Sequence, residues 1–312
     1  MIASPAPVHV TSVRRAKWPA YVVVMGVAIT WGASFVVVKA TVGEVSPSRL
    51  VSWRFVVATF TLLTLRPRVL HEMDRQTVTR GAVLGALLGT GFVLCTIGIQ
   101  TTSVLISAFV TGTTVVFAPL IAWIWLRRRL TARAAAAVFL ALAGLAMITV
   151  RCFAVGPGTL LILTAAVLWA IHLVALERWS RAGRLYGLTL VQLAASAAVA
   201  LCCQVMLDDR HGLWPQMSRS AVAGIVFLGA AATAGAFVAL SWAQTRLDTT
   251  TTAVILTLEP LVGAGLGVAL GDQWTAATVA GAIAVLTAVC LVARPSGRTG
   301  LLRPVAVLRR PK

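Results

Sequence analysis

The chain has 312 residues, of which 59% are hydrophobic and only 12% charged, and its mean hydropathy is +0.90. Soluble domains run near about 45–50% apolar and about 25% charged, so a soluble fold is excluded. The net charge of +18 would point to a nucleic-acid partner in a soluble protein. Here the Lys and Arg fall between apolar runs, so the expected partners are the lipid bilayer and a small-molecule substrate, not a nucleic acid.

Ten apolar runs follow one another, each of a length that suits a membrane helix. The first, 20–40, comes after Arg14, Arg15 and Lys17. It is too long for a signal-peptide core and lacks a small-residue cleavage site, so it is expected to be retained as a helix. Trp31, Ser34, Phe35 and Lys39 recur along it at spacings of three to four and share one helix face. That face is either the wall of a solute cavity, with Lys39 at its mouth, or a helix-packing seam.

The second run, 47–65, contains Arg54. A cation there either binds an anion or gates a cavity, or it snorkels to the outer interface. The third and fourth runs cover 79–98 and 103–126, and Pro119 lies inside the latter. The fifth is 132–150. The sixth, 157–176, carries His172, which is a proton-handling group or a hydrogen-bonded packing residue.

Gln192 lies in the seventh run, 186–207, and Gln244 just beyond the eighth, 220–242. Amides at those positions recognise solute or tie helices together. Glu259, in the ninth run, 250–270, is the sharpest candidate, since no other charge lies between Val254 and Leu270. It handles solute or protons, or it pairs with Arg54 or with backbone freed by Pro260. Pro119 and Pro260 each remove an N–H and permit a helix bend. The tenth run is 275–293.

With the N-terminus inside, 21 Lys and Arg fall in inside segments and five in outside ones, with Arg54 within a span. Positive segments stay cytoplasmic, so ten helices with both termini on the cytoplasmic side of an inner (plasma) membrane are expected. Trp31 matches Trp169, Phe117-Ala118-Pro119-Leu120 matches Leu258-Glu259-Pro260-Leu261, and Thr131 with Ala137 matches Thr275 with Gly281, at offsets of 138, 141 and 144 residues. Five helices per half make the second half enter from the opposite side. The expected fold is an all-α membrane protein of ten transmembrane helices in two inverted five-helix repeats. Its parts are an N-terminal cytoplasmic tail, 1–19, repeats at 20–150 and 157–293, and a basic cytoplasmic tail, 294–312.

The five cysteines, Cys95, Cys152, Cys202, Cys203 and Cys290, show neither a Cys-x-x-Cys pair nor His spacing for a metal, and read as packing residues. Gly85, Gly89, Gly144, Gly263, Gly267 and Gly281 suit close helix approach. No phosphate loop, nucleophile set or dinucleotide fingerprint appears. No enzyme activity, cofactor or metal is therefore expected.

The chain resembles the EamA family of the drug/metabolite transporter superfamily. The resemblance rests on the run Trp31-Gly32-Ala33-Ser34-Phe35-Val36-Val37-Val38-Lys39, on Arg54-Phe55 after Pro47, and on Phe117-Ala118-Pro119-Leu120 running to Leu126. In the second half it rests on Leu258-Glu259-Pro260-Leu261 running to Leu270-Gly271-Asp272. It implies ten helices in two inverted repeats and movement of amino acids, related metabolites or drugs. Many members carry Gly-Glu-Arg after the fourth helix where this chain has Arg127-Arg128-Arg129, and Asp272 stands where Glu is usual. His172, Gln192 and Gln244 look like positions shared by one subgroup.

The function expected on these grounds is secondary transport by alternating access, with export favoured by family analogy and proton coupling as an option, by a monomer or homodimer. The rival is a membrane receptor or scaffold in which the repeat is merely structural.

Overall fold

A computed structural model of the chain describes residues 17–102, 107, 110–127, 130–149, 156–180, 184–207, 217–269 and 276–293. Outside these lie the two tails, with Arg14 and Arg15 in the first, and also Arg128, Arg129, Arg151, Cys152, Arg181, Arg210, Trp214, Trp274, Thr275 and the Leu270-Gly271-Asp272 motif. Every regular element among the described residues is helical. In chain order they are α1 (Trp18–Thr41), α2 (Pro47–Leu65), a 3-10 turn (Pro67–Glu72), α3 (Arg75–Thr101), α4 (Thr114–Leu126), α5 (Ala132–Thr149), α6 (Pro157–Trp179) and α7 (Leu185–Leu207). They continue with α8 (Arg219–Ala243), α9 (Thr249–Leu256), α10 (Leu258–Ala269) and α11 (Ala276–Ala293). Six of them, α1, α2, α3, α6, α7 and α8, are long and apolar enough to cross a membrane, so the protein is membrane-embedded and multi-pass.

Local chemistry explains where the helices begin. Proline opens α2 and α6, where its missing N–H costs nothing. Asp74 caps α3 by accepting from Thr77 N at 2.9 Å, Ser218 caps α8 from Ala221 N at 3.1 Å, and Asp248 caps α9 from Thr251 N at 2.9 Å. At the far end of α4, Arg127 adopts the left-handed conformation with φ 52°, a position that glycine fills without strain.

The ninth apolar run is not one helix. It breaks at Thr257, between α9 and α10, whose hydroxyl donates to Val254 O at 2.6 Å. The cause is Pro260, which has no N–H for the carbonyl four residues back, Leu256, and whose ring crowds it. Pro260 therefore sits in the first turn of a new helix, not at a mid-helix bend. Pro119 does lie inside α4, and a comparable interruption occurs upstream of it at Thr113, which donates to Val110 O at 2.5 Å.

Helix α8 holds a second irregularity, a π-helical stretch over Phe227–Gly235. The wider turn loosens carbonyls from their usual donors. Thr233 Oγ1 reaches back to Leu228 O at 2.7 Å within it.

The major contacts cross between the halves. Helix α3 packs on α6 and α7, α2 on α7 and α8, α1 on α8 and α10, α4 on α6 and α9, and α5 on α11. Exchanging each helix with its counterpart in the other half turns this set of contacts into itself. Lipid is as apolar as leucine, so close van der Waals approach must hold the helices together. Gly81, Gly85 and Gly89 supply it along α3. A Cβ at Gly81 would come within 2.6 Å of Val191 Cβ, and one at Gly89 within 2.8 Å of Ser196 Cα on α7. Phe55, Leu84, Leu88, Leu193, Leu240 and Val285 belong to one buried cluster that runs through both halves.

Candidate functional site

A cavity of about 140 Å³ lies where α1, α2, α3, α4, α6, α8 and the α9/α10 break converge. At the share of liquid volume that one water takes, about 30 Å³, it holds roughly five waters or a solute of similar size. Glu259, His172, Arg54, Trp31, Ser34 and Phe35 all line it, and so does Pro260. Lys39 is exposed near the end of α1, and Gln192, Gln244 and Pro119 are not among the lining residues.

Arg54 is 6% exposed and does not snorkel to an interface. Its Nε donates to Thr233 Oγ1 at 2.6 Å, and its Nη2 lies 3.5 Å from Ala232 O. The guanidinium sits 4.7 Å above the Phe92 ring. Trp31 Nε1 donates to the same Ala232 carbonyl at 2.7 Å. The π stretch is thus where α8 offers backbone and hydroxyl acceptors to α1 and α2, and it fixes both the cation and the indole.

Glu259 stands in the first turn of α10, where the helix dipole favours an anion. Gly32 on α1 permits this placement, because a Cβ there would come within 2.6 Å of Glu259 O. No hydrogen bond or ion pair joins Glu259 to Arg54. The cavity therefore presents a cation and a carboxyl that are not spent on one another.

His172 Nε2 donates to Gln192 Oε1 at 2.9 Å, since the amide oxygen only accepts, and this leaves Nδ1 as an acceptor in the neutral ring. The imidazole meets Phe237 edge-on at 6.0 Å.

Several lining residues were not singled out from the sequence. Trp31 packs at a tilt against Phe237 at 5.3 Å, and Trp169 likewise against Phe92 at 5.1 Å. These are equivalent pairs, since Trp169 follows Trp31 by 138 residues and Phe237 follows Phe92 by 145. The repeat match of Trp31 with Trp169 was the signal that pointed to the second tryptophan. The phenylalanines carried none, because an aromatic in an apolar run looks like core. Trp169 Nε1 is buried without a protein partner, and this edge of the indole lies against Gly91, where a Cβ would come within 2.5 Å of it. Cys95 is buried, as a packing cysteine should be, and also lines the cavity.

The lining extends to Val38, Ile99 and Thr111, at the end of the bundle where α1 and α3 finish. The opposite end is tied shut. Glu177 accepts from Thr249 N at 2.8 Å and from the Thr249 hydroxyl, Trp125 packs edge-on to Trp179 at 6.1 Å, and Arg184 Nη1 pairs with Asp74 Oδ2 at 2.5 Å.

The EamA-like transporter family model matches twice, over residues 18–150 and 156–294. The chain belongs to the EamA-like transporter family. Among its relatives is an uncharacterized transporter, YyaM, of Bacillus subtilis (strain 168), 28% identical over 174 residues that make up 52% of this chain and 57% of that one. The match thus spans little more than half the length of the Bacillus protein. An uncharacterized transporter of Archaeoglobus fulgidus is 25% identical over 267 residues, 85% of this chain and 83% of its own. A solved crystal structure of a protein shares the fold of this EamA-like chain with a TM-score of 0.73 at 18% identity, over 88% of this chain and 98% of that one.

Proposed function

We propose that this EamA-like protein is a secondary carrier that moves a small solute by alternating access through the cavity between its halves. The observation that carries this reading is a cavity lined by a cation, Arg54, and a carboxyl, Glu259, that share no hydrogen bond or ion pair, beside a helix break. Discontinuous helices near the midplane are how secondary transporters direct helix termini and freed carbonyls at a cargo. Arg54 binds a negatively charged group of the solute, Glu259 binds a positive one or a proton, and Trp31 and Trp169 pack against its apolar part. His172, Ser34 and Phe35 complete the pathway, with Lys39 near its mouth.

The helices form two five-helix repeats of opposite orientation, at 20–150 and 157–293, with α9 and α10 acting as one broken span. The exchange symmetry of the packing supports this reading, and so does the pairing of Trp31 and Phe237 with Trp169 and Phe92. The basic termini lie in the cytoplasm of a cell bounded by this inner membrane. The end tied by Glu177 and Thr249 is then the cytoplasmic end, and the cavity is poised for release outside, which fits export.

The test is counterflow in proteoliposomes with a radiolabelled panel of amino acids, organic anions and organic cations. At least one panel member exchanges across the membrane with the wild-type chain and is lost with Glu259→Gln. A receptor or scaffold exchanges none of them.

A further inference from the structure

A line of buried polar groups leaves the cavity at His172 and runs towards the Trp179 end of the bundle between α7 and α8. Gln192, which accepts from His172, is wholly buried, and its Nε2 has no protein partner. One turn earlier on α7, Thr189 is also wholly buried and donates to Ser241 Oγ on α8 at 3.0 Å. One turn on from Ser241, at the C-cap of α8, Gln244 is 3% exposed, and neither of its amide atoms has a protein partner. Positions three apart share a helix face, so Gln192 with Thr189 and Ser241 with Gln244 continue the line across the seam. It ends beside Arg246 and the Asp248 cap.

Leaving a buried amide unsatisfied costs about 1–3 kcal/mol, and such groups in native proteins find water when protein offers nothing. Three orphan amide atoms flank the hydroxyl pair, two of them on Gln244 and one on Gln192. Water between these groups can both donate and accept, as the two hydroxyls do, so a proton arriving at one end displaces one at the other with no net chemistry. His172 is the titratable member at the cavity end. The ionisable groups that share the cavity with it are Arg54 on α2, Cys95 on α3 and Glu259 on α10, while α4, α7, α8 and α9 add none to the lining.

We infer that the Gln192, Thr189, Ser241 and Gln244 seam is a hydrated proton path joining His172 to the Trp179 end of the bundle, separate from the route of the solute. It rests on the carrier reading above and deepens it by giving the carrier a proton conductance of its own, entered at the end that is closed to solute and not requiring solute to move.

The experiment uses the full chain reconstituted into liposomes loaded with pyranine, with valinomycin and equal potassium clamping the potential, a pH step imposed, and no solute added. The wild-type chain carries protons faster than empty liposomes do. Gln192→Leu and Gln244→Leu slow this flux at least about fivefold, the factor of roughly 1 kcal/mol in a barrier. Thr189→Val, which keeps the side-chain shape, slows it too and serves if a leucine variant fails to fold. Gln204→Leu, at a buried glutamine off the seam, leaves it unchanged. Flux no faster than in empty liposomes, or folded seam variants as fast as wild type, overturns the path. Solute exchange measured on the same vesicles separates the two readings. Exchange without protein-dependent proton flux overturns the path and leaves the carrier, whereas proton flux abolished by Gln192→Leu without any solute exchange supports the path and overturns the carrier.

Discussion

The two halves build the same aromatic frame and fill it with different polar groups. Trp31 against Phe237 repeats as Trp169 against Phe92, yet at the matching position 138 residues on from Arg54 stands Gln192, and the residue before the proline is Ala118 in one half and Glu259 in the other. Duplicated packing sets where side chains can stand, while divergence decides which of those places carry charge. The cavity gains a cation from the first half and a carboxyl from the second, an asymmetry that a perfect repeat could not supply.

The comparison breaks most sharply if the charged positions are made alike. Arg54→Gln gives position 54 the side chain of its counterpart. It removes charge-assisted contacts of about 1.5–3 kcal/mol, so solute exchange falls about 10- to 100-fold and thermal unfolding in detergent comes earlier. Retained exchange would show that the halves need not differ there.

The frame itself can be compared next. Trp31→Phe loses the bond to Ala232 O and costs about 1 kcal/mol of stability, whereas Trp169→Phe, whose Nε1 has no protein partner, stays within about 0.5 kcal/mol in the same assay. Equal losses would mean that the two indoles are held alike.

The ends of α4 and of the ninth run differ as well. Gly271 matches Arg127 at an offset of 144 residues, and a left-handed residue other than glycine is strained by about 1–2 kcal/mol. Arg127→Gly, partly offset by the extra freedom of glycine when unfolded, raises stability by about 1 kcal/mol in thermal melts.

The smallest effect concerns the paired caps Asp74 and Ser218. Hydrogen bonds from the Thr77 side chain and backbone, with Arg184 nearby, hold the Asp74 carboxyl below its ordinary pKa. A carboxylate depressed on folding stabilises above its unfolded pKa of about 3.9, and that contribution fades as pH falls through the folded value. Asp74→Asn therefore flattens the acid limb of a stability profile, and Ser218→Ala leaves its shape unchanged.

The long helices were legible because charge and hydropathy bound them within a few residues. The break at Thr257 was half legible, since Pro260 announced a disturbance but its backbone consequence falls at the carbonyl four residues earlier. The π stretch was not, because Ala230-Ala231-Ala232-Thr233 has no local preference for it. It coincides with donors arriving from Trp31 and Arg54, which are distant in sequence. In the site, a charge in an apolar run draws attention to Arg54 and Glu259, whereas Phe92 and Phe237 differ from core aromatics only by what they face. Lys39 shares a face with Trp31 in the helical projection but is exposed and outside the lining, although its neighbour Val38 belongs to it.

The central claim is that solute occupies the cavity formed by unlike groups on alike halves. Val38 lines that cavity at its untied end, so a chain whose one cysteine is introduced by Val38→Cys reports on occupancy through its rate of alkylation by a small neutral maleimide in proteoliposomes. A solute that the protein exchanges slows labelling in proportion to its saturation, and Glu259→Gln abolishes the protection. Labelling indifferent to a solute that is nevertheless exchanged would contradict the account.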